Sequence, residues 1–140
     1  MIIKGEASEI QINILRRSNP DAKDFWDGNW LDTEIRIHIR QFICLYGANL
    51  RVDDFQRFYE SLVAFRNTQK PEIEFTTLEE ALYLHFVMGD RGLIICKGKG
   101  NDNAGISIEF NFEIEIMVIE YLIAEVKKIL SSYPIIEGKA

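Results

Sequence analysis

Basic residues are in the minority in this sequence, and its apolar runs are short. Sixteen Lys and Arg residues stand against 22 Asp and Glu residues, which gives a formal net charge of −6. Direct nucleic-acid binding usually needs a basic face, so the charge argues against a nucleic-acid partner and permits a basic protein partner. No apolar run reaches the roughly 20 residues that span a bilayer, and the first residues lack the apolar core of a signal peptide. We therefore expect a cytoplasmic protein that has no membrane partner.

Cysteine and histidine are scarce, with two residues of each kind. Cys44 and Cys96 lie in apolar, strand-like runs, where reduced core thiols are more common than a disulfide. His38 and His85 each fall on the second face of a predicted strand. A metal site needs three or four converging ligands, and a nucleophile needs a neighbouring base. We therefore expect no metal, no cofactor and no catalytic residue, and a protein that is not an enzyme.

Alternation of apolar and polar residues, by contrast, is abundant, and it is typical of half-buried strands. The clearest run is Ile106 to Ile116, whose apolar members share one face and gain roughly 1.5–3 kcal/mol each when fully buried. Shorter strand-like runs lie at residues 9–16, 33–40, 41–46, 72–76, 78–88 and 93–97. The Arg40-Gln41 junction suggests a hairpin, and the glycine-rich segment from Lys97 to Gly105 is expected to be a loop.

Helical spacing of apolar residues occurs twice. It predicts one amphipathic helix over residues 53–66 and a second from about residue 119 that ends before Pro134. Asp53, with Gln56 three positions later, is expected to cap the first helix. The sequence shows no internal repeat.

Strands joined by short turns predict an antiparallel arrangement. We therefore predict an α+β fold in which a single antiparallel, curved β-sheet of about six to seven strands carries two amphipathic helices packed on one face. Residues 1–140 suffice for a single domain with a sizeable core. We expect a frayed C-terminus after about residue 136.

Large aromatic residues are concentrated in a loop-like segment from Pro20 to Leu31, which contains Phe25, Trp26 and Trp30. Aromatic residues in a loop either pack down as a lid on the core or form an exposed binding hot spot. The first alternative predicts that Phe25 and Trp30 pin the loop against the sheet. The second predicts that this segment binds a partner.

Acidic residues line the polar face of the longest predicted strand, at Glu109, Glu113 and Glu115. Such a face is most often simply solvated. On an uncovered sheet it is also a candidate surface for a basic partner.

The segment from Pro20 to Leu31, followed by an alternating strand, resembles the start of the WapI-like immunity proteins of bacterial contact-dependent toxin systems. The resemblance continues through the strand-to-helix passage at residues 48–59, and it includes residues 100–112 and the closing helix. Two places depart from the family pattern. Val52 stands where a Thr-like helix cap is expected, and residues 113–117 lack an Asp-Gln-Thr-like entry to the last helix.

The resemblance implies a non-catalytic cytoplasmic protein that binds a cognate toxin C-terminal domain, commonly a nuclease, and occludes it. The acidic surface of the immunity protein would meet the basic substrate-binding face of the toxin. On this basis the expected partner-binding residues are Asp24, Trp26, Asp27, Glu109 and Glu113.

Two other functions stay open from the residues alone. A generic or self-associating interaction module, such as a homodimer, would pair through an edge strand or an uncovered sheet face. A small-ligand binding protein would need Arg36, His38 and Tyr83 to converge on one pocket, whereas the inward positions are almost entirely apolar.

Overall fold

The structure, a computed structural model, describes residues 1–139 and arranges them in two halves of the same topology. Each half has four antiparallel strands and ends in a helix of 15 residues. The first half consists of β1 (Ile2–Gly5), β2 (Ser8–Arg17), the one-turn α1 (Phe25–Gly28), β3 (Trp30–Ile39), β4 (Phe42–Arg51) and α2 (Val52–Arg66). The second half consists of β5 (Glu72–Phe75), β6 (Leu82–Met88), a 3-10 turn (Asp90–Gly92), β7 (Ile94–Asn101), β8 (Ser107–Ile114) and α3 (Val118–Ser132).

The mixture of helices and antiparallel strands confirms the α+β class. The prediction of one sheet with six to seven strands is wrong, because the strands form two sheets. Sheet A contains β1 to β4 and sheet B contains β5 to β8, each in chain order. Alternation indicates which side chains share a face of a strand, but it does not mark where a sheet ends. Here the chain leaves sheet A through α2 and begins a new sheet at β5. The two halves repeat the order of strands and helix but not the amino-acid sequence, so the residue pattern shows no repeat.

The inward faces of both sheets and the apolar sides of the two long helices form one continuous core. In sheet A the alternating residues Ile10, Ile12, Ile35 and Ile37 are all buried, as the pattern predicts. Helix α2 packs against α3 and β5, and α3 also contacts β1. The two helices therefore do not lie together on one face of a single sheet.

Strand β8 crosses beneath sheet A near the hairpin turns of that sheet. At β4, Ile108 lines a cleft together with Cys44. At β1, Gly5 lies directly on the Phe112 ring and the Glu113 carbonyl oxygen. Because successive residues of β8 meet different strands of sheet A, the two sheets run across each other rather than side by side.

The glycine-rich segment from Lys97 to Gly105 is only partly a loop. Its first five residues belong to β7, so the loop prediction is wrong for them. A Cβ at Gly98 would collide with the Phe110 ring, and one at Gly100 would lie 2.7 Å from Ile37 Cδ1. Close packing, rather than a turn, therefore requires both glycines: Gly98 lies under a ring of the neighbouring strand in its own sheet, and Gly100 lies against sheet A.

The strand predicted from Ile106 to Ile116 is shorter in the structure, where β8 spans Ser107–Ile114. Phe112 and Ile114 are buried, whereas Ile106 and Ile116 are exposed. The apolar face is thus covered only in its second half, and an apolar surface is left at the start of the strand.

The first turn of α2 is capped by Asp54 and not by the predicted pair of Asp53 and Gln56. Asp54 Oδ2 accepts the backbone N–H of Arg51 at 2.8 Å, and Arg57 Nη2 donates to Asp54 Oδ1 at 2.6 Å. Burial raises the pKa of Asp54 above its ordinary value, and these two donors oppose that rise. The cap ties the end of β4 to the start of the helix.

Two local predictions are confirmed. The Arg40-Gln41 junction forms the β3–β4 hairpin, with Arg40 at a φ of 54°. Helix α3 ends at Ser132, before Pro134. Within residues 1–139, no helix has both the length and the apolar character that crossing a membrane requires.

The close approach of β1 and β8 predicts a steric test. Gly5→Ala places a Cβ against the Glu113 carbonyl oxygen, so we expect it to reduce the free energy of unfolding by roughly 1–3 kcal/mol in urea denaturation. Gly47→Ala is the matched control, because its Cβ would meet only the Thr33 carbonyl oxygen at 3.8 Å. Equal stabilities of the two variants would contradict the crossing of the sheets described here.

Candidate partner-binding surfaces

The aromatic segment, residues 20–31, is held in place by the side chain of Arg51, which is only 1% exposed. Arg51 Nη1 donates to the carbonyl oxygen of Trp26 at 2.6 Å, and Nη2 donates to that of Phe25 at 2.9 Å. Nε donates to Asp53 Oδ1 at 2.9 Å. A buried charge is costly unless it is paired and hydrogen-bonded. The segment therefore cannot move away without leaving the guanidinium unsatisfied.

The same guanidinium contacts three aromatic rings. Its Cζ lies 5.1 Å from the ring centroid of Phe25, 4.7 Å from that of Trp26 and 4.9 Å from that of Trp30. The two tryptophan rings meet edge to face at 6.0 Å. Cation–π contacts of this kind add to the hydrogen bonds and fix the orientation of the rings.

The one-turn helix α1 positions the acidic residues of the segment. Asp24 Oδ2 accepts the backbone N–H of Asp27 at 3.0 Å and so caps the turn. Asp24 is half-buried, and Asp27 is exposed. The Asp27 side chain is therefore available to a partner, whereas the Asp24 carboxylate is already engaged in the fold.

The end of the chain also lies against this segment. Asn29 Nδ2 donates to the carbonyl oxygens of Phe25 at 2.8 Å and Ile136 at 2.9 Å, and Asn29 Oδ1 accepts the Ile136 N–H at 3.0 Å. The Phe25 N–H donates to the Gly138 carbonyl oxygen at 2.7 Å. Fraying was expected after about residue 136, but Gly138 is part of this contact.

The structure shows how the aromatic segment is held, and its role in binding stays a prediction. The segment is pinned, although by Arg51 and Asn29 rather than by Phe25 and Trp30 as expected. Trp26 nevertheless remains 55% exposed. The surface is an ordered one that presents a large aromatic side chain to solvent. Only one sequence feature points to Arg51, its position as the sole charged residue of β4.

Glu109 and Glu113 are exposed on the outer face of sheet B, but that face is not uniformly acidic. Lys99 lies directly opposite Glu109 in the β7–β8 register, and Ile95 lies opposite Glu113. The other outward lysine of β7, Lys97, lies between these two pairs. Opposite charges on neighbouring strands attract each other, so the field of the two carboxylates is partly neutralised.

The five predicted partner-binding residues fall into two separate groups. Asp24, Trp26 and Asp27 lie beside the end of sheet A where Trp30 pairs with Arg51. Glu109 and Glu113 lie beside the opposite end, because they line clefts with residues of the β3–β4 hairpin. Since β3 rises about 3.3 Å per residue over its ten residues, the two ends are roughly 30 Å apart.

Comparison with known proteins identifies the family. A family model described as the immunity protein WapI-like family matches residues 1–134. The chain belongs to this family. No curated protein matches it significantly. Among solved structures it is similar to a chain in crystal structures of Trypanosoma bruciei MRP1/MRP2, with 9% identity over 89% of this chain and 84% of that one and a TM-score of 0.47, a likeness that carries no functional argument.

In this WapI-like protein the convergence needed for a small-ligand site does not occur. A polar cleft of about 720 Å³ beside the β1–β2 and β3–β4 turns is lined in part by His38, Arg40 and Glu113. Arg36 does not line it, and Tyr83 lies by a different cleft on sheet B. The inward positions of the core are almost entirely apolar, as predicted.

A group of potential metal ligands was not foreseen from sequence spacing. Glu72, Glu74 and His85 come from the neighbouring strands β5 and β6, and their ligand atoms lie within 4.8 Å of one another. His85 Nε2 is 3.0 Å from Glu72 Oε2. All three side chains are partly exposed, and a surface hydrogen bond between Glu72 and His85 accounts for the closest of these contacts. Partial burial, followed by the charges of Glu74 and Glu72, raises the pKa of the adjacent Tyr83.

The role of Arg51 predicts a large effect on stability. Arg51→Met removes both guanidinium donors from the segment, so the Trp26 carbonyl oxygen loses its Arg51 donor and the Phe25 carbonyl oxygen keeps only that of Asn29. We expect a loss of about 2–4 kcal/mol in urea denaturation. Tryptophan emission should shift to longer wavelength, because Trp26 and Trp30 lose their common contact. Arg16→Met is the control: Arg16 is 65% exposed and pairs with Asp32 on the surface, which is worth at most about 1 kcal/mol. Similar losses in both variants would show that Arg51 does not hold the segment.

Proposed function

We propose that this protein is a non-catalytic, cytoplasmic immunity protein of a bacterial toxin system, which binds and occludes the C-terminal nuclease domain of a cognate toxin. The match of residues 1–134 to the WapI-like immunity family is the observation that carries the proposal. Within residues 1–139 the buried positions are almost entirely apolar, which suits a protein that acts through its surface.

The first proposed contact is the aromatic segment, through Trp26, Asp24 and Asp27. Trp26 is exposed, and its backbone is hydrogen-bonded to a buried guanidinium. A partner that buries this ring pays little for ordering it, which is the usual property of a binding hot spot. The neighbouring carboxylates would face the basic substrate-binding surface of a nuclease and speed its encounter.

Glu109 and Glu113 form a second proposed contact of a different kind. A standard interface of about 800 Å² per partner is roughly 30 Å across, so one centred on Trp26 would end short of these residues. Their contribution would therefore be long-range attraction, which changes the association rate more than the dissociation rate.

This proposal predicts distinct kinetic effects for the two groups. With the nuclease domain encoded beside this gene as the ligand, Trp26→Ala should raise the Kd at least about thirtyfold, mainly through faster dissociation. The pair Glu109→Gln and Glu113→Gln should lower the association rate at low salt and leave dissociation nearly unchanged. Leu78→Ala is the control, since Leu78 is similarly exposed at 54% but lies outside both groups. Surface plasmon resonance measures all three, and melting temperatures confirm that each variant folds.

The direct test is protection in cells. Co-expression of the wild-type chain should restore growth to cells that produce the toxin domain, and purified proteins should form a stable complex in which nuclease activity is blocked. If the protein neither protects the cells nor binds the neighbouring toxin, the proposal is overturned. If the protein protects the cells but Trp26→Ala leaves the Kd unchanged, the proposed function holds and the interface does not include Trp26.

A further inference from the structure

We infer that two copies of this chain associate through β4, one of the two edge strands of sheet A, to form a homodimer. This inference concerns self-association and is independent of the proposed toxin binding. It rests on three features. β4 is longer and less charged than the other edge strands, it exposes apolar side chains, and sheet B extends under the space beside it.

The edge strands are unequally protected against pairing. Soluble proteins usually protect an edge by keeping it short or by placing charges on it. β1 and β5 have four residues each and carry Lys4 in one case and Glu72 with Glu74 in the other. β8 carries Glu109 and Glu113. β4 has ten residues, and only the last of them is charged.

The exposed side chains of β4 are apolar to an unusual extent. Phe42 is 78% exposed, Ile43 58% and Leu45 60%. In the described part of the chain, the backbone of residues 42–50 has one hydrogen-bond partner besides the β3 ladder, Thr33 Oγ1, which donates to the Ala48 carbonyl oxygen at 2.7 Å. The strand therefore combines a largely free row of backbone donors and acceptors with three large, exposed apolar side chains.

Apolar residues of sheet B would pack against a strand added beside β4. The start of β8 extends towards β4, where Ile108 and Phe110 line an apolar cleft of about 450 Å³ together with Phe42 and Cys44. Ile106 lies two residues further along the same face and is 66% exposed. A strand paired with β4 would cover these side chains and extend the two-layer packing by one position.

A second copy fits this position better than a charged partner strand. Antiparallel self-pairing of β4 brings no like charges together, whichever register it takes through residues 42–50. The same pairing of β8 about Asn111 would place Glu109 opposite Glu113 of the other copy, which is unfavourable. A two-fold axis at Tyr46 would also place Arg36, beside Leu45, in one row with Glu34 of the second copy, beside Gly47. The two charges would lie about 14 Å apart, three strand spacings, so they do not oppose the pairing.

The test is the mass of the full chain in solution, measured by sedimentation equilibrium across the micromolar range. We expect the mass to rise with concentration from 16.3 kDa towards twice that value. Leu45→Lys should weaken association at least about tenfold, because it places like charges close together across the two-fold axis. Leu45→Ala removes only the apolar contact and should have a smaller effect in the same direction.

Leu78→Lys is the matched control, because it adds the same charge at an equally exposed leucine outside β4. A wild-type chain that stays monomeric at every concentration would overturn the inference. Equal weakening by Leu78→Lys and Leu45→Lys would overturn it too, since the effect would then come from net charge. If the chain is a monomer and Leu45→Lys weakens its binding to the toxin, then β4 binds the toxin and not a second copy. If the monomer binds the toxin, the proposed function stands although the dimer inference fails.

Discussion

The buried guanidinium of Arg51 is the constraint on which the candidate surface depends. Its charge cannot be left unpaired in the interior, and the groups that satisfy it are two carbonyl oxygens of a surface segment and one carboxylate at the start of α2. The aromatic segment, the end of β4 and the first turn of α2 are therefore coupled. A partner that binds Trp26 would contact a side chain that Arg51 already holds in position. Asn29 connects the end of the chain to the same segment.

The crossing of the two sheets has a comparable role for the rest of the molecule. It requires glycine where the layers come closest, at Gly5 and Gly100, and it leaves apolar surface where one layer extends past the other. The exposed side chains of β4 and the start of β8 lie at such a place. The core and the proposed dimer surface thus follow from the same geometry.

Much of the local structure could be predicted from the sequence, and most of the tertiary arrangement could not. Alternation identified seven of the strands, because a strand half-buried on one face imposes a period of two wherever it lies. The division into two sheets depends on which strands exchange hydrogen bonds, and no single strand carries that information. Gly98 and Gly100 suggested a loop, since close packing against a neighbouring side chain and a turn both favour glycine.

The candidate surface was foreseen in part. The density of aromatic residues marked Trp26, and the family resemblance supplied the expectation of a partner. Arg51 could not be found in the same way, because its role depends on contacts with carbonyl oxygens 25 and 26 positions earlier in the chain. Glu109 and Glu113 were grouped with the aromatic segment by charge, yet they lie at the other end of sheet A.

The aromatic segment is an ordered surface before any partner binds. Amide hydrogen exchange of the free protein tests it most directly, at the N–H groups of Phe25 and Gly28, which donate to Gly138 and Asp24. We expect these amides to exchange as slowly as those of the β3 ladder, since opening the segment would leave the two Nη groups of the buried Arg51 without their carbonyl acceptors. Exchange at the rate of an unstructured peptide would contradict it.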